Sequence, residues 1–251
     1  MLCDDGGLAL QIAHAVSDEH DCAYLPGQRA ALEYRVLVGV GPSELNEWLE
    51  RGWRRFGAVV FRPACRACDQ CISLRIPVAG FRLSRSQRRA RNRCARMTVE
   101  VGPPRVDDER LALYNRWHAG RERVRGWEHS PLDAEDYSRQ FGLAEPCTRE
   151  VLYRDGDRLV GAGICDATET AWSAVYFFHD PAYARFSLGV NHILTLIERA
   201  ALEGKSQVYL GYWVRRCPSM RYKAGFVPHE RLTGRPDGDE PARWSATEQE
   251  D

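Results

Sequence analysis

Three cysteines at two-residue gaps, Cys65, Cys68 and Cys71, carry the sharpest chemical signal in the chain. They follow a strand-like run at residues 58–62 and a breaker, Pro63. Thiolates are soft metal ligands. Zinc sites usually pair two CxxC knuckles, whereas three cysteines at successive two-residue gaps suit three irons of a [4Fe-4S] cluster. Cys22, just ahead of Tyr24-Leu25-Pro26-Gly27, is the best fourth ligand. Zinc and plain loop thiols are the alternatives. Cys3, Cys94, Cys147, Cys165 and Cys217 lack ligand spacing and read mostly as small core residues.

Next comes a run of eight arginines with no acid among them: Arg75, Arg82, Arg85, Arg88, Arg89, Arg91, Arg93 and Arg96. Guanidinium groups grip phosphate with two parallel hydrogen bonds, so a helix carrying Arg85, Arg88, Arg89 and Arg91 is suited to an RNA backbone. The bland alternative is a solvated helix in an arginine-rich protein. Of the 35 basic residues only Lys205 and Lys223 are lysine, so arginine abundance alone means little. The chain balances 35 acids against 35 bases. Any nucleic-acid affinity is therefore local.

Further on, Tyr176-Phe177-Phe178 reads as a buried strand whose aromatic end can wall a pocket. The same holds for Tyr209 and Tyr212-Trp213. The loop through Ser187 and Gly189 runs into a helix start, whose first amides can bind an oxyanion or a phosphate. Ser187 has no His–Asp pair to activate it, so a serine hydrolase is not expected. No apolar run reaches the length of a membrane span and no signal peptide is evident, so a cytoplasmic protein is expected.

Periodicity places these residues on elements. Helices are expected at 43–52, 84–93, from Asp107 onward, and at 190–204. The helix opening at Asp107 buries Leu111, Tyr114, Trp117 and His118. Residues 121–128 read as a charged loop. Strands are expected at 73–78, 97–101, 147–154, 158–166, 170–179 and 207–212, with Asp155-Gly156 as a hairpin turn. Residues 233–251 hold six acids and two prolines and read as a disordered tail. Meander, glycine-bearing loop, helix, strand is the order of an N-acetyltransferase-type (GNAT-type) core. The expected fold is α+β: a smaller cysteine-containing and basic N-terminal domain over 1–100, and an acyltransferase-like domain over 101–232.

Taken together, the motifs resemble the aminoacyl-tRNA-protein transferases of the N-degron pathway. The likeness runs from about Cys22 to Pro228. It rests on residues 22–27, Tyr34, Arg54-Arg55-Phe56-Gly57, Phe61-Arg62-Pro63, the three cysteines and residues 84–89. In the second half it rests on residues 175–181, Ser187-Leu188-Gly189, residues 209–214 and Cys217-Pro218-Ser219-Met220-Arg221-Tyr222-Lys223-Ala224. The short chain and residues 24–27 resemble the bacterial aspartate/glutamate leucyltransferases, while residues 217–220 resemble the arginyl branch.

The resemblance implies transfer of leucine, with arginine as the alternative, from aminoacyl-tRNA to proteins with N-terminal Asp or Glu, marking them for degradation. It implies that Tyr176, Tyr209 and Tyr212 orient ester and amine. Lys223 and Arg221 would meet the acceptor carboxylate or the tRNA terminus, with Ser187 and Gly189 at the substrate. An iron–sulfur cluster is implied by cysteine matching. Two rivals are an acyl-CoA-dependent N-acyltransferase and a non-enzymatic RNA-binding iron–sulfur module.

Overall fold

The computed structural model describes residues 9–126, 128–142, 145–238 and 240–247. Among them the chain forms β1 (Leu10–Val16), β2 (His20–Asp21), β3 (Arg29–Ala30), β4 (Leu32–Val38), α1 (Pro42–Glu50), β5 (Arg54–Phe56), β6 (Val59–Pro63), β7 (Ile72–Pro77), α2 (Arg85–Arg93) and β8 (Thr98–Gly102). Then follow α3 (Asp108–Arg125), α4 (Ala134–Phe141), β9 (Thr148–Asp155), β10 (Arg158–Ala167), β11 (Ala171–His179), α5 (Leu188–Leu202), β12 (Gln207–Trp213), β13 (His229–Leu232) and β14 (Trp244–Thr247). This is an α+β architecture with a mixed sheet.

Local chemistry sets the helix ends. Ser84 accepts the Gln87 amide while the Gln87 side chain accepts the Ser84 amide, a capping box that starts α2. Asp107 caps α3 by accepting the Arg110 amide at 2.9 Å, and Gly126, at φ 68°, ends it in the left-handed conformation. The charged stretch expected as a loop is therefore helical as far as Arg125. Helix α1 starts one residue before the expected Ser43, capped by the backbone at Gly41 with Pro42 in its first turn.

The large sheet has the order β14-β13-β7-β12-β11-β10-β9-β8, and a smaller one runs β1-β4-β6-β5. Strand β7 belongs to the first hundred residues, yet it pairs with β12 inside the large sheet. The boundary expected at residue 100 thus does not coincide with a boundary between sheets. The tail expected to be disordered supplies β14, which pairs with β13. Its few apolar residues include Trp244, which packs on Tyr209 at 5.8 Å between ring centroids and donates to the Glu50 carbonyl. One large aromatic outweighs the polar composition there.

Both faces of the large sheet are covered. Leu188, Ile193, Leu194, Leu196, Ile197 and Ala200 of α5 pack on one face with Val151, Cys165 and Trp172. Ala200, on the same face, is fully buried with them. Leu113 and Tyr114 of α3, with Tyr137 and Phe141 of α4, cover the other face against Leu152, Ile164 and Phe178. Cys94, Cys147, Cys165 and Cys217 are buried, as expected; Cys3 lies outside the described residues.

Two arginines tie the smaller sheet to the larger. Arg55 pairs with Asp166, both buried, and donates to the Thr148 hydroxyl at 2.5 Å. Arg54 donates to Ser173 Oγ at 3.0 Å and to the Ala174 carbonyl.

Candidate active site

Strands β11 and β12 run parallel but pair only at Ala171–Gln207, Trp172–Val208 and Ser173–Tyr209. Beyond that point both are bulged. On β11 the partner of Ile164 is Tyr176 and that of Cys165 is Ala174, which leaves Val175 over. On β12 Tyr209 faces Arg75 and Gly211 faces Leu74, which leaves Leu210 over. A bulge bends its strand and re-aims the side chains beyond it. Gly211 sits at φ 74°, and a Cβ there would lie 3.0 Å from Arg54 Nε. Only glycine serves both the turn and the arginine beneath it.

The parted strands open a cleft of about 630 Å³. Its floor is Ala174 to Phe177 with Leu210. One wall is Trp117, His118 and Arg121 of α3, and a second is residues 187–190 with His192 and Ile193 of α5. The third is Ala23 and Tyr24 with Ser219, Met220, Tyr222 and Lys223. Among the described residues lining the cleft none is Asp or Glu. The site is apolar and cationic.

Four of the residues singled out from sequence line this cleft: Tyr176, Ser187, Gly189 and Lys223. Burial, then the neighbouring Tyr114 phenol, pushes the Tyr176 hydroxyl above the usual phenol range. It therefore stays a neutral donor. Lys223 donates to the Tyr212 carbonyl at 2.8 Å. Burial first, and the Arg54 charge second, push its ammonium down to about 7. Ser187 holds φ 58° at the start of α5, and its hydroxyl accepts from Arg93 at 2.9 Å.

Tyr209 and Tyr212 do not line the cleft. The Tyr209 hydroxyl donates to Glu50 at 2.7 Å, and the Tyr212 hydroxyl bonds the carbonyls of Gly52 at 3.0 Å and Phe61 at 3.1 Å. Tyr209 packs with Leu37 and Val60 of the smaller sheet, and Tyr212 ties β12 to it through Phe61. Arg221 is exposed and outside the cleft lining. Arg85, Arg88 and Arg89 of α2 are exposed, whereas Arg91 is half-buried and paired with Glu198. Arg93 links that helix to the mouth of the cleft through Ser187.

Sequence reasoning missed Arg121. Its guanidinium carbon lies 5.4 Å from the centre of the Trp117 ring, one turn earlier on α3. An Arg four residues after a Trp is a cation–π signal that periodicity alone passes over.

Cys22, Cys68 and Cys71 pack with Leu25, Val214 and Cys217 behind the Tyr24–Met220 wall. Burial, then the charges of Cys65, Cys22 and Cys68, push the Cys71 thiol up to about 12. The four expected ligands thus share one neighbourhood. Among the described residues, however, no three His, Cys, Asp or Glu are placed to hold a metal ion. The arrangement does not fit the expected ligand set, and no step below runs through a metal. Among the described residues no helix is long and apolar enough to cross a membrane.

Residues 20–89 match the family model for the arginine-tRNA-protein transferase N terminus, and residues 109–233 match that for its C terminus. The chain is similar to the aspartate/glutamate leucyltransferase of Campylobacter jejuni strain 81-176, 35% identical with 86% of this chain and 91% of the relative covered. The Helicobacter hepaticus enzyme of that name is 33% identical over 94% of this chain and 98% of its own. That of Alkalilimnicola ehrlichii is 38% identical over 86% and 90%. The matches define an enzyme of the aminoacyltransferase class. The chain belongs to the arginine-tRNA-protein transferase family.

Proposed function

We propose that the chain transfers leucine from leucyl-tRNA to the N-terminal Asp or Glu of acceptor proteins, in the cleft between β11 and β12. Names of relatives supply the reaction; the acid-free cleft carries the choice of amino acid. A leucyl side chain is at home against Val175, Ile193, Leu210 and Met220. An arginyl side chain would bring a third cation beside Arg121 and Lys223 with no lining carboxylate to meet it. Burying an unpaired charge is costly, so such a cleft rejects arginine.

In this reading the acceptor α-amine attacks the ester carbonyl. A peptide bond forms, the ester C–O bond breaks, and the tRNA leaves with its ribose hydroxyl restored. Lys223, neutral above about 7, takes the proton from the attacking nitrogen and returns it to the departing ribose oxygen. Tyr176 on the cleft floor and the first amides of α5 on its wall can meet the developing oxyanion. Holding both substrates in place supplies much of the acceleration. The exposed Arg85, Arg88 and Arg89 carry the acceptor stem, with Arg93 and Ser187 leading from that helix to the cleft. The core is of the GNAT type in this reading, the parted parallel strands supporting it. The product marks proteins for degradation in the cytoplasm.

Purified chain with leucyl-tRNA and a peptide beginning with Asp should yield a peptide one leucine longer. A peptide beginning with Ala, or arginyl-tRNA as donor, should give no product. Acylation from acetyl-CoA without tRNA would overturn the proposal. Zinc or an iron–sulfur cluster at Cys22, Cys65, Cys68 and Cys71 has only the shared neighbourhood of the thiols behind it. Iron and sulfide, or zinc, in anaerobically purified protein would overturn that misfit, and a metal-free preparation of full activity upholds it.

A further inference from the structure

The acceptor brings a carboxylate to a cleft that already holds an ester, and something must tell Asp from Asn. Among the described residues, cations lie in the cleft and just beside it. Arg54 lies beneath the floor and donates to Ser173 Oγ and the Ala174 carbonyl. Arg93 is bound to Ser187 at the mouth. Lys223 donates to the Tyr212 carbonyl. Arg121, half-buried on the α3 wall, has no carboxylate partner among the described residues.

We propose that Arg121 is the residue that selects the acceptor, its guanidinium receiving the side-chain carboxylate of the N-terminal Asp or Glu. This deepens the leucyl-transfer reading and rests on it.

Three observations carry the assignment. The Trp117 ring lies 5.4 Å from the guanidinium carbon, so the plane of the group is steadied by a ring that also lines the cleft. A steadied planar fork offers two parallel N–H groups to a carboxylate, which a lysine cannot. Next, the adjacent acid is turned away. Glu122 is bound by His118 at 2.8 Å, His129 at 2.6 Å and the Ser130 amide at 2.8 Å, so it does not neutralise Arg121. Finally, Arg121 reaches the reacting end of the cleft. Its charge opposes the burial-driven rise of both the Tyr176 and the Tyr222 hydroxyls. The two lining cations then divide the work by chemistry. Lysine can release a proton near neutrality and serves as base. Arginine cannot, and serves as a permanent countercharge.

The test compares wild type, Arg121→Gln and Arg121→Lys with peptides that differ only in an N-terminal Asp, Glu, Asn or Gln. Transfer is read at saturating leucyl-tRNA, and KM is measured separately for peptide and tRNA. Peptide binding is also measured by calorimetry without tRNA. Arg121→Gln should lower kcat/KM for Asp and Glu peptides by about 10- to 100-fold, the loss of a charge-assisted pair. The preference for Asp over Asn should collapse, and the KM for leucyl-tRNA should hold. Arg121→Lys should recover part of the preference, because it keeps charge without the fork. A raised tRNA KM with the Asp preference intact would make Arg121 a phosphate contact and overturn the proposal. An equal loss for all four peptides would make it structural and overturn it too. The binding arm separates this proposal from the reading beneath it. Asp-selective binding that Arg121→Gln abolishes upholds Arg121 even if the wild type moves no leucine.

Discussion

Lys223 is the residue on which the chemistry turns. A lysine in water is an ammonium at neutral pH and cannot accept a proton. Burial and the Arg54 charge bring this one down to about 7. The rate should therefore rise with pH through about 7, while the amine empties of its proton, and flatten above. Lys223→Arg keeps the charge but no base, so kcat should fall by about 100-fold or more and that limb of the pH–rate profile should vanish. Stopped-time transfer assays across pH 5.5–9 would check it. An unchanged limb in the variant assigns the titration to the acceptor amine alone. Much of this was legible beforehand: Lys223 is one of two lysines and stood inside a motif that pointed to the site. Its depressed pKa was not legible, because it comes first from burial in the folded chain and then from Arg54, 169 positions away in sequence.

Helix α2 shows what an element can declare by itself. Its boundaries follow from a capping box, and its exposed arginines follow from a pattern with only Gln87 and Ala90 buried. What each arginine does was less evident. Arg91 is held by Glu198, so Arg85, Arg88 and Arg89 are the ones presented to a polyanion. Replacing Arg85 and Arg88 with Ala should weaken tRNA binding. The slope of log affinity against log salt should drop by about 0.7 to 0.9 for each phosphate no longer neutralised. Acceptor preference should not move, since phosphate contacts position a substrate without selecting its acyl group. Filter binding at several salt concentrations reads both. A folded double variant with unchanged slope would place the tRNA elsewhere.

At the scale of the whole molecule, the C-terminal segment returns across the N-terminal half. Arg235 donates to the carbonyls of Cys65 at 3.4 Å and Cys68 at 2.8 Å, and Arg62 donates to the Pro236 carbonyl at 2.9 Å. The Arg75 guanidinium lies 4.2 Å from the centre of the Trp244 ring. Trp244→Ala should cost about 1–3 kcal/mol, less than a fully buried tryptophan because the ring is half-exposed. A melting curve should show a drop of several degrees. An unchanged melting point would mean the segment is an ornament. Lys223 also leaves a mark on global stability. Its folded pKa lies below the unfolded 10.5, so the unfolded chain holds more protons between about 7 and 10.5. Stability from this group should therefore rise with pH across that window, and Lys223→Met should flatten the rise.

The sequence by itself determined many of the elements, because hydrophobic period, caps and turn residues act over a few neighbours. The start of α3 at Asp107, the Asp155-Gly156 turn and the strand–helix–strand order of β11, α5 and β12 all emerged this way. Composition misjudged the tail, where a single tryptophan anchors a strand. Only the tertiary structure decided where the cleft opens, since the bulges at Val175 and Leu210 exist only relative to partner strands. It also decided which residues meet there. Periodicity says which face a side chain occupies and not what lies opposite. Thus Tyr209 and Tyr212 turned out to brace α1 and the smaller sheet, and Arg121 came to face the same cleft as Lys223 from a helix about a hundred residues earlier.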